Sequence, residues 1–131
     1  MTVVDTSVWI DYFAGRRTAS ADRLDRLLGS EPIVIGDLVL TELLQGFQKD
    51  ADVRRALSLL EPFEFREMVG REVALGCARN FRLLRSKGVT VRKTIGVIIG
   101  TFCLQNGFPL LHSDRDFDPM ETHLGLRVVR R

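Results

Sequence analysis

Short apolar, β-branched runs separated by stretches of helical period are the feature that most restricts the architecture open to this chain. Thr2–Val4 reads as a buried strand, and the Asp5-Thr6-Ser7 that ends it consists of residues that each cap a helix, here one from about Ser7 to Ala14. Leu24, Leu27 and Leu28 lie at helical spacing in Ala19–Leu28, which Gly29 stops. Pro32–Gly36 is a second strand. Asp37 is the expected N-cap of a helix through about Phe47, with Leu40, Leu43, Leu44 and Phe47 inward and Glu42 aboard. A further helix covers Asp50–Leu60, Pro62 breaks it, and Phe63–Phe65 is a weak strand candidate. Ala74, Cys77, Ala78, Phe81 and Leu84 mark an amphipathic helix over Glu67–Lys87. Thr94 is the expected cap of the next helix, apolar on nearly every face and therefore central, which Gly107 ends. Pro109–Leu111 is a buried strand and Leu126–Val129 a peripheral one.

Such alternation predicts a single α/β/α sandwich over residues 1–131 with a central, mainly parallel sheet, because crossover helices cover both faces of parallel strands and force them to be apolar. A hydrophobic content of 45% in 131 residues is enough for one core without disulfides. Cys77 and Cys103 sit in apolar-periodic segments with no C-x-x-C or His-rich spacing, which disfavours both a disulfide and a zinc site. With no membrane-length apolar run and no signal-peptide pattern before Asp5, the expected location is the cytoplasm.

Open parallel sheets bind ligands at the carboxyl ends of their strands. Asp5 follows the first strand directly, and Asp114 and Asp116 follow the strand Pro109–Leu111 after His112-Ser113. Glu42 lies early in the helix after the second strand, near the same edge. Four carboxylates gathered without a cation would raise one another's pKa, so a divalent ion suits them, and oxygen-only donors suit Mg²⁺ or Mn²⁺. Such an ion activates water for phosphodiester hydrolysis. Each acid also has a plainer use: Asp5 as an N-cap, Glu42 as a solvated helix residue, and Asp114, Asp116 and Asp118 as an acidic turn before Pro119.

Nineteen Lys+Arg against 17 Asp+Glu leave a net charge of only +2, but the charges are segregated. Arg66, Arg71, Arg79, Arg82, Arg85, Lys87, Arg92 and Lys93 share their stretch with only Glu67 and Glu72, so the rest of the chain is net acidic. Most of these bases suit a solvated helix face, whereas Arg92 and Lys93 precede the central helix and are the better candidates for holding phosphates of a nucleic-acid backbone. Trp9, Tyr12 and Phe13 suit core or oligomer packing better than base stacking.

Four segments together resemble the PIN-domain toxins of bacterial toxin-antitoxin modules, the VapC type: Val4–Trp9 (VDTSVW), Thr41–Gly46 (TELLQG), Arg92–Gly100 (RKTIGVIIG) and Asn106–Phe117 (NGFPLLHSDRDF). The resemblance spans essentially the whole chain. It implies a Mg²⁺-dependent endoribonuclease acting on structured RNA such as tRNA or rRNA, restrained by a cognate VapB-type antitoxin and usually a homodimer. Asp5 then matches the first metal-site acid, Glu42 the second and Asp114 the fourth. Asp116 is a supporting carboxylate and Ser7 the hydroxyl near the first acid, with Thr6 and Ser113 as flanking supports.

The departure is Gly96, which stands where the family places its third acid, in the first turn of the central helix. An acid there complements the helix dipole, whereas Gly costs about 1 kcal/mol relative to Ala. The resemblance therefore implies a nuclease weakened or silenced at this position. The competing reading is a catalytically inactive PIN-like protein that binds antitoxin or RNA and regulates by occupancy. A receiver-like phosphoacceptor lacks its acid pair and lysine here, and the Asp114-Arg115-Asp116 triplet is too short to argue for a D-x-D transferase.

Overall fold

Burial on both faces explains why three of the four strands among the described residues contain no charged residue. In the computed structural model, which describes residues 1–130, β1 (Thr2–Val4), β2 (Ile33–Gly36) and β4 (Leu110–Leu111) are buried throughout. A fourth strand, β3 (Glu64–Arg66), is largely exposed. All pairings are parallel and the order is β3-β2-β1-β4. Val3 registers with Val34 on one side and with Leu110 on the other, so β1 is central. The weak candidate at Phe63–Phe65 is thus a true strand shifted by one residue, and its Glu64–Arg66 ion pair charges the edge against further pairing.

The helices are α1 (Thr6–Phe13), α2 (Ala19–Leu27), α3 (Asp37–Gln45), α4 (Asp50–Leu60), α5 (Gly70–Ser86), α6 (Thr94–Asn106) and α7 (Asp118–Leu124). α1 packs on α2 and α3, and α5 on α6 and α7, giving the helical layers that flank the sheet. Trp9 is fully buried, stacked on Phe13 at 5.9 Å and tilted against Phe63 at 6.0 Å, so it belongs to the core, with the half-buried Tyr12 and Phe13 packed against it. Each such ring pair contributes about 0.5–1.5 kcal/mol beyond its buried area. Cys77 and Cys103 are both buried free thiols.

Several local expectations are corrected. Asp37 is the first residue of α3, not its cap: the cap is Gly36, and Asp37 Oδ1 accepts from the Leu38 and Met68 amides at 2.8 and 3.0 Å. Thr94 likewise begins α6 after an extended Lys93 and gives no side-chain cap. α5 starts at Gly70 rather than Glu67. Asp118-Pro119 opens the helix α7, because Pro is tolerated in a first turn and acids favour its dipole. Leu126–Val129 contributes only a single parallel bridge, Val128 with Leu110.

Two glycines of α6 differ in kind. A Cβ on Gly100 would lie 2.3 Å from Met120 Cε and 2.6 Å from its Sδ, so the methionine tail of α7 occupies that space. A Cβ on Gly96 would meet only Phe117 Cζ, at 4.0 Å. Packing accounts for the first glycine and not for the second.

Candidate active site at the carboxyl ends of β1 and β4

The chain runs from β1 to β2 to β3 in one direction and then returns through α5 and α6 to place β4 on the opposite side of β1. Strand order reverses between β1 and β4, and a crevice opens where the connections from their carboxyl ends diverge. A cleft of about 250 Å³ lies there, lined by Asp5, Ser7, Glu42, Gly96, Asp114 and Asp116 among others.

Asp5 leaves β1 with its amide on the Leu111 carbonyl at 2.9 Å and caps α1, its Oδ2 accepting from Ser7 N at 3.0 Å and Ser7 Oγ at 2.6 Å. Asp5 is therefore both the N-cap of α1 and a lining residue of the cleft. Only 5% of Asp5 is exposed. That burial raises its pKa above the ordinary carboxylate value; the Ser7 and Thr6 hydrogen bonds oppose the rise and the charge of Asp114 adds to it. Behind it, burial and the charge of Asp5 push the Cys103 thiol up to about 12, so this sulfur stays protonated.

Glu42 reaches the cleft from α3, where the buried Thr6 hydroxyl donates to its Oε1 at 2.9 Å. Asp114 follows β4 and His112-Ser113; its Oδ1 accepts from the Asp116 amide at 2.9 Å, capping the 3-10 turn Arg115–Phe117. Asp116 is exposed at the rim. Ser113 donates its amide to Ser7 Oγ at 3.0 Å, so Ser7 joins the two strand ends. Of the basic stretch, Arg92 and Lys93 line the cleft, while the bases of α5 are exposed on its outer surface.

Two features were not read from the sequence. Arg115 also lines the cleft, placed there by the 3-10 turn that separates Asp114 from Asp116. His112 is buried beside Phe117 and accepts the Asp114 amide at Nδ1, 3.2 Å; the His-x-Asp spacing is its only sequence signal.

The donor chemistry suits a hard divalent ion in part. Two carboxylates, Asp5 and Asp114, act on each other at the cleft, and Mg²⁺ is held by one or two carboxylates while keeping several waters. Among the described residues, no group of three His, Cys, Asp or Glu side chains is close enough to hold a metal. The open space at Gly96 is where a further side chain would fit.

The PIN domain family matches residues 2–121. Two curated relatives, a VapC ribonuclease of Mycobacterium bovis and ribonuclease VapC11 of Mycobacterium tuberculosis, are each 28% identical over 123 residues, 90% of this chain and 90% of theirs. Among solved structures, VapBC2 from Rickettsia felis bound to a promoter DNA fragment superposes with a TM-score of 0.77 at 16% identity, over 98% of this chain and 96% of that one. VapC20 of Mycobacterium tuberculosis, described as a sarcin-ricin loop cleaving toxin, gives 0.68 at 16% identity over 100% of both chains. These structural likenesses bear on the fold. Among the described residues, no helix is long and apolar enough to cross a membrane.

Proposed function

The chain belongs to the PIN-domain family, and from that premise we propose that it is the toxin of a VapBC-type module: a cytoplasmic, metal-dependent endoribonuclease of structured RNA, weakened by Gly96. The observation that carries this reading is a buried carboxylate, Asp5, held at the point where strand order reverses in a cleft shared with Asp114, its pKa raised first by burial and last by the charge of Asp114. Similarity to VapC ribonucleases over 90% of the chain supports it.

Asp5 and Asp114 would hold Mg²⁺ or Mn²⁺, with Asp116 at the rim. When bound, the ion would supply a water of lowered pKa and neutralise charge building on the phosphate. Ser7 fixes the rotamer of Asp5 through Oδ2, and Thr6 fixes Glu42 through Oε1. Arg92 and Lys93 hold the RNA backbone at the mouth, where base contacts are not needed for affinity. A VapB-type antitoxin and a homodimeric state are the partners this reading carries.

Gly96 favours a second reading, occupancy of RNA or antitoxin without cleavage, because the carboxylate set stops at two interacting acids. One experiment separates the two. The Gly96→Asp protein should cleave one or more members of a tRNA and rRNA panel with Mg²⁺ or Mn²⁺ and arrest growth on expression, and Asp5→Asn in that background should abolish both. A Gly96→Asp protein that binds the divalent ion yet leaves every RNA intact supports occupancy and overturns the nuclease.

A further inference from the structure

We propose that His112 is a positioning residue for Asp114: by accepting the Asp114 backbone N–H at Nδ1, it sets where that carboxylate stands at the β1–β4 edge. The inference rests on the reading of Asp114 as a site acid. His112 is 4% exposed and does not line the cleft, so it acts on the site through the residues it holds.

The segment after β4 is held by side chains taking two consecutive amides. Ser113 N–H goes to Ser7 Oγ at 3.0 Å and Asp114 N–H to His112 Nδ1 at 3.2 Å. The first hydrogen bond ties the segment to Asp5, because the same Ser7 hydroxyl donates to Asp5 Oδ2 at 2.6 Å. The second fixes the backbone from which Asp114 projects, and the Asp116 amide then holds Asp114 Oδ1 at 2.9 Å. The acid is thus restrained at both its backbone and its carboxylate.

His112 is itself anchored. Its ring packs on Phe117 with centroids 4.9 Å apart and its carbonyl accepts from Ser20 Oγ of α2 at 3.4 Å. A side chain accepting the amide two residues on is the geometry Asn and Asp use in turns, so Asn is the conservative replacement at 112. An accepting Nδ1 requires that atom to be bare, which places the ring proton on Nε2. Removing the groups that orient a metal's ligands typically changes metal affinity by about 10- to 100-fold.

Long-range ¹⁵N–¹H NMR of the unaltered chain reads the tautomer directly: a proton on Nε2 and a bare Nδ1 are expected, and a proton on Nδ1 overturns the proposal. Amide exchange and Mn²⁺ titration then compare His112→Leu with His112→Asn, in this chain and with Gly96→Asp. The Leu variant should exchange the Asp114 amide roughly tenfold faster or more and bind Mn²⁺ about tenfold more weakly, with Asn restoring both. Unchanged Asp114 exchange in His112→Leu, or an Asn variant no better than Leu, overturns it. Should neither parent chain bind Mn²⁺, the nuclease reading fails, while the tautomer and the Asp114 exchange rate still decide the role of His112.

Discussion

Ser7 Oγ stands 2.6 Å from Asp5 Oδ2 and, on its other side, 3.0 Å from the amide of Ser113, so one hydroxyl carries a hydrogen-bonded link from the segment after β4 to the acid that ends β1. The two strands are neighbours in the sheet but 106 residues separate Ser7 from Ser113. A link of this length in sequence ties the site to correct sheet assembly.

Removing that link by Ser7→Ala leaves Asp5 with its backbone donor from Ser7 and deprives it of the hydroxyl. Hydrogen bonds to a charged group are worth about 1.5–3 kcal/mol, and part of this is recovered by water at a half-buried position, so a destabilisation of about 1–2 kcal/mol is expected. The Asp5 pKa should rise further, because a hydrogen bond that lowers it has gone. Denaturant unfolding measures the first and carboxyl ¹³C titration the second; an unmoved Asp5 titration would show that Ser7 merely abuts it.

Asp5→Asn should stabilise the metal-free protein above the ordinary carboxylate range while removing any nuclease activity. The folded-state pKa of Asp5 lies above its unfolded value, so its contribution to stability is fully present below the unfolded value and is lost as pH rises through the folded one. Above that window the fold carries a charge that burial disfavours, and Asn removes it while keeping an acceptor for Ser7. The gain in Tm should shrink as pH falls toward the ordinary carboxylate value. A gain that persists unchanged at low pH would assign the effect to packing instead.

The central strands and α6 were legible because full burial leaves an uninterrupted apolar run, and Gly107 at φ 69° ends α6 where a left-handed residue is needed. Asp5 and Asp114 were legible as strand-end acids for the same reason, being the first charges after buried strands. Asp37 was not, because its carboxylate turns to the Met68 amide 31 residues away, an interaction no local rule contains. α7 was hidden by Asp118-Pro119, which suits a turn as well as a first helical turn; what decides is Met120 filling the space over Gly100. Arg92 and Lys93 were separable from the bases of α5 by their place just before α6, and they line the cleft while the bases of α5 lie exposed outside it.

Exchanging Arg92 and Lys93 together for Gln should weaken RNA binding uniformly across sequences. Each phosphate that is no longer neutralised lowers the slope of log affinity against log salt by about 0.7–0.9, so the pair should flatten it by roughly 1.5. The same exchange at Arg79 and Arg82, exposed on α5 away from the cleft, serves as the control and should leave the slope nearly unchanged. Equal flattening by both pairs would move the RNA path onto the α5 surface.

Substitutions at position 96 separate helix propensity from site electrostatics. Gly96→Ala adds a Cβ into open space in the first turn of α6 and should raise stability by about 0.5–1 kcal/mol through the reduced freedom of the unfolded chain. Gly96→Asp gains the same propensity in part and a favourable dipole interaction, yet sets a third negative charge in the cleft with Asp5 and Asp114, where burial first and the charge of Asp114 last already raise the Asp5 pKa. Without a divalent ion the Asp variant should therefore be less stable than the Ala variant. Millimolar Mn²⁺ should reverse that order, because an ion binding only the folded state stabilises it in proportion to the logarithm of its concentration over its Kd. Thermal unfolding of both variants with and without Mn²⁺ measures the difference. If the ion shifts Gly96→Ala as much as Gly96→Asp, position 96 does not face the ion and the carboxylate introduced there has no part in holding it.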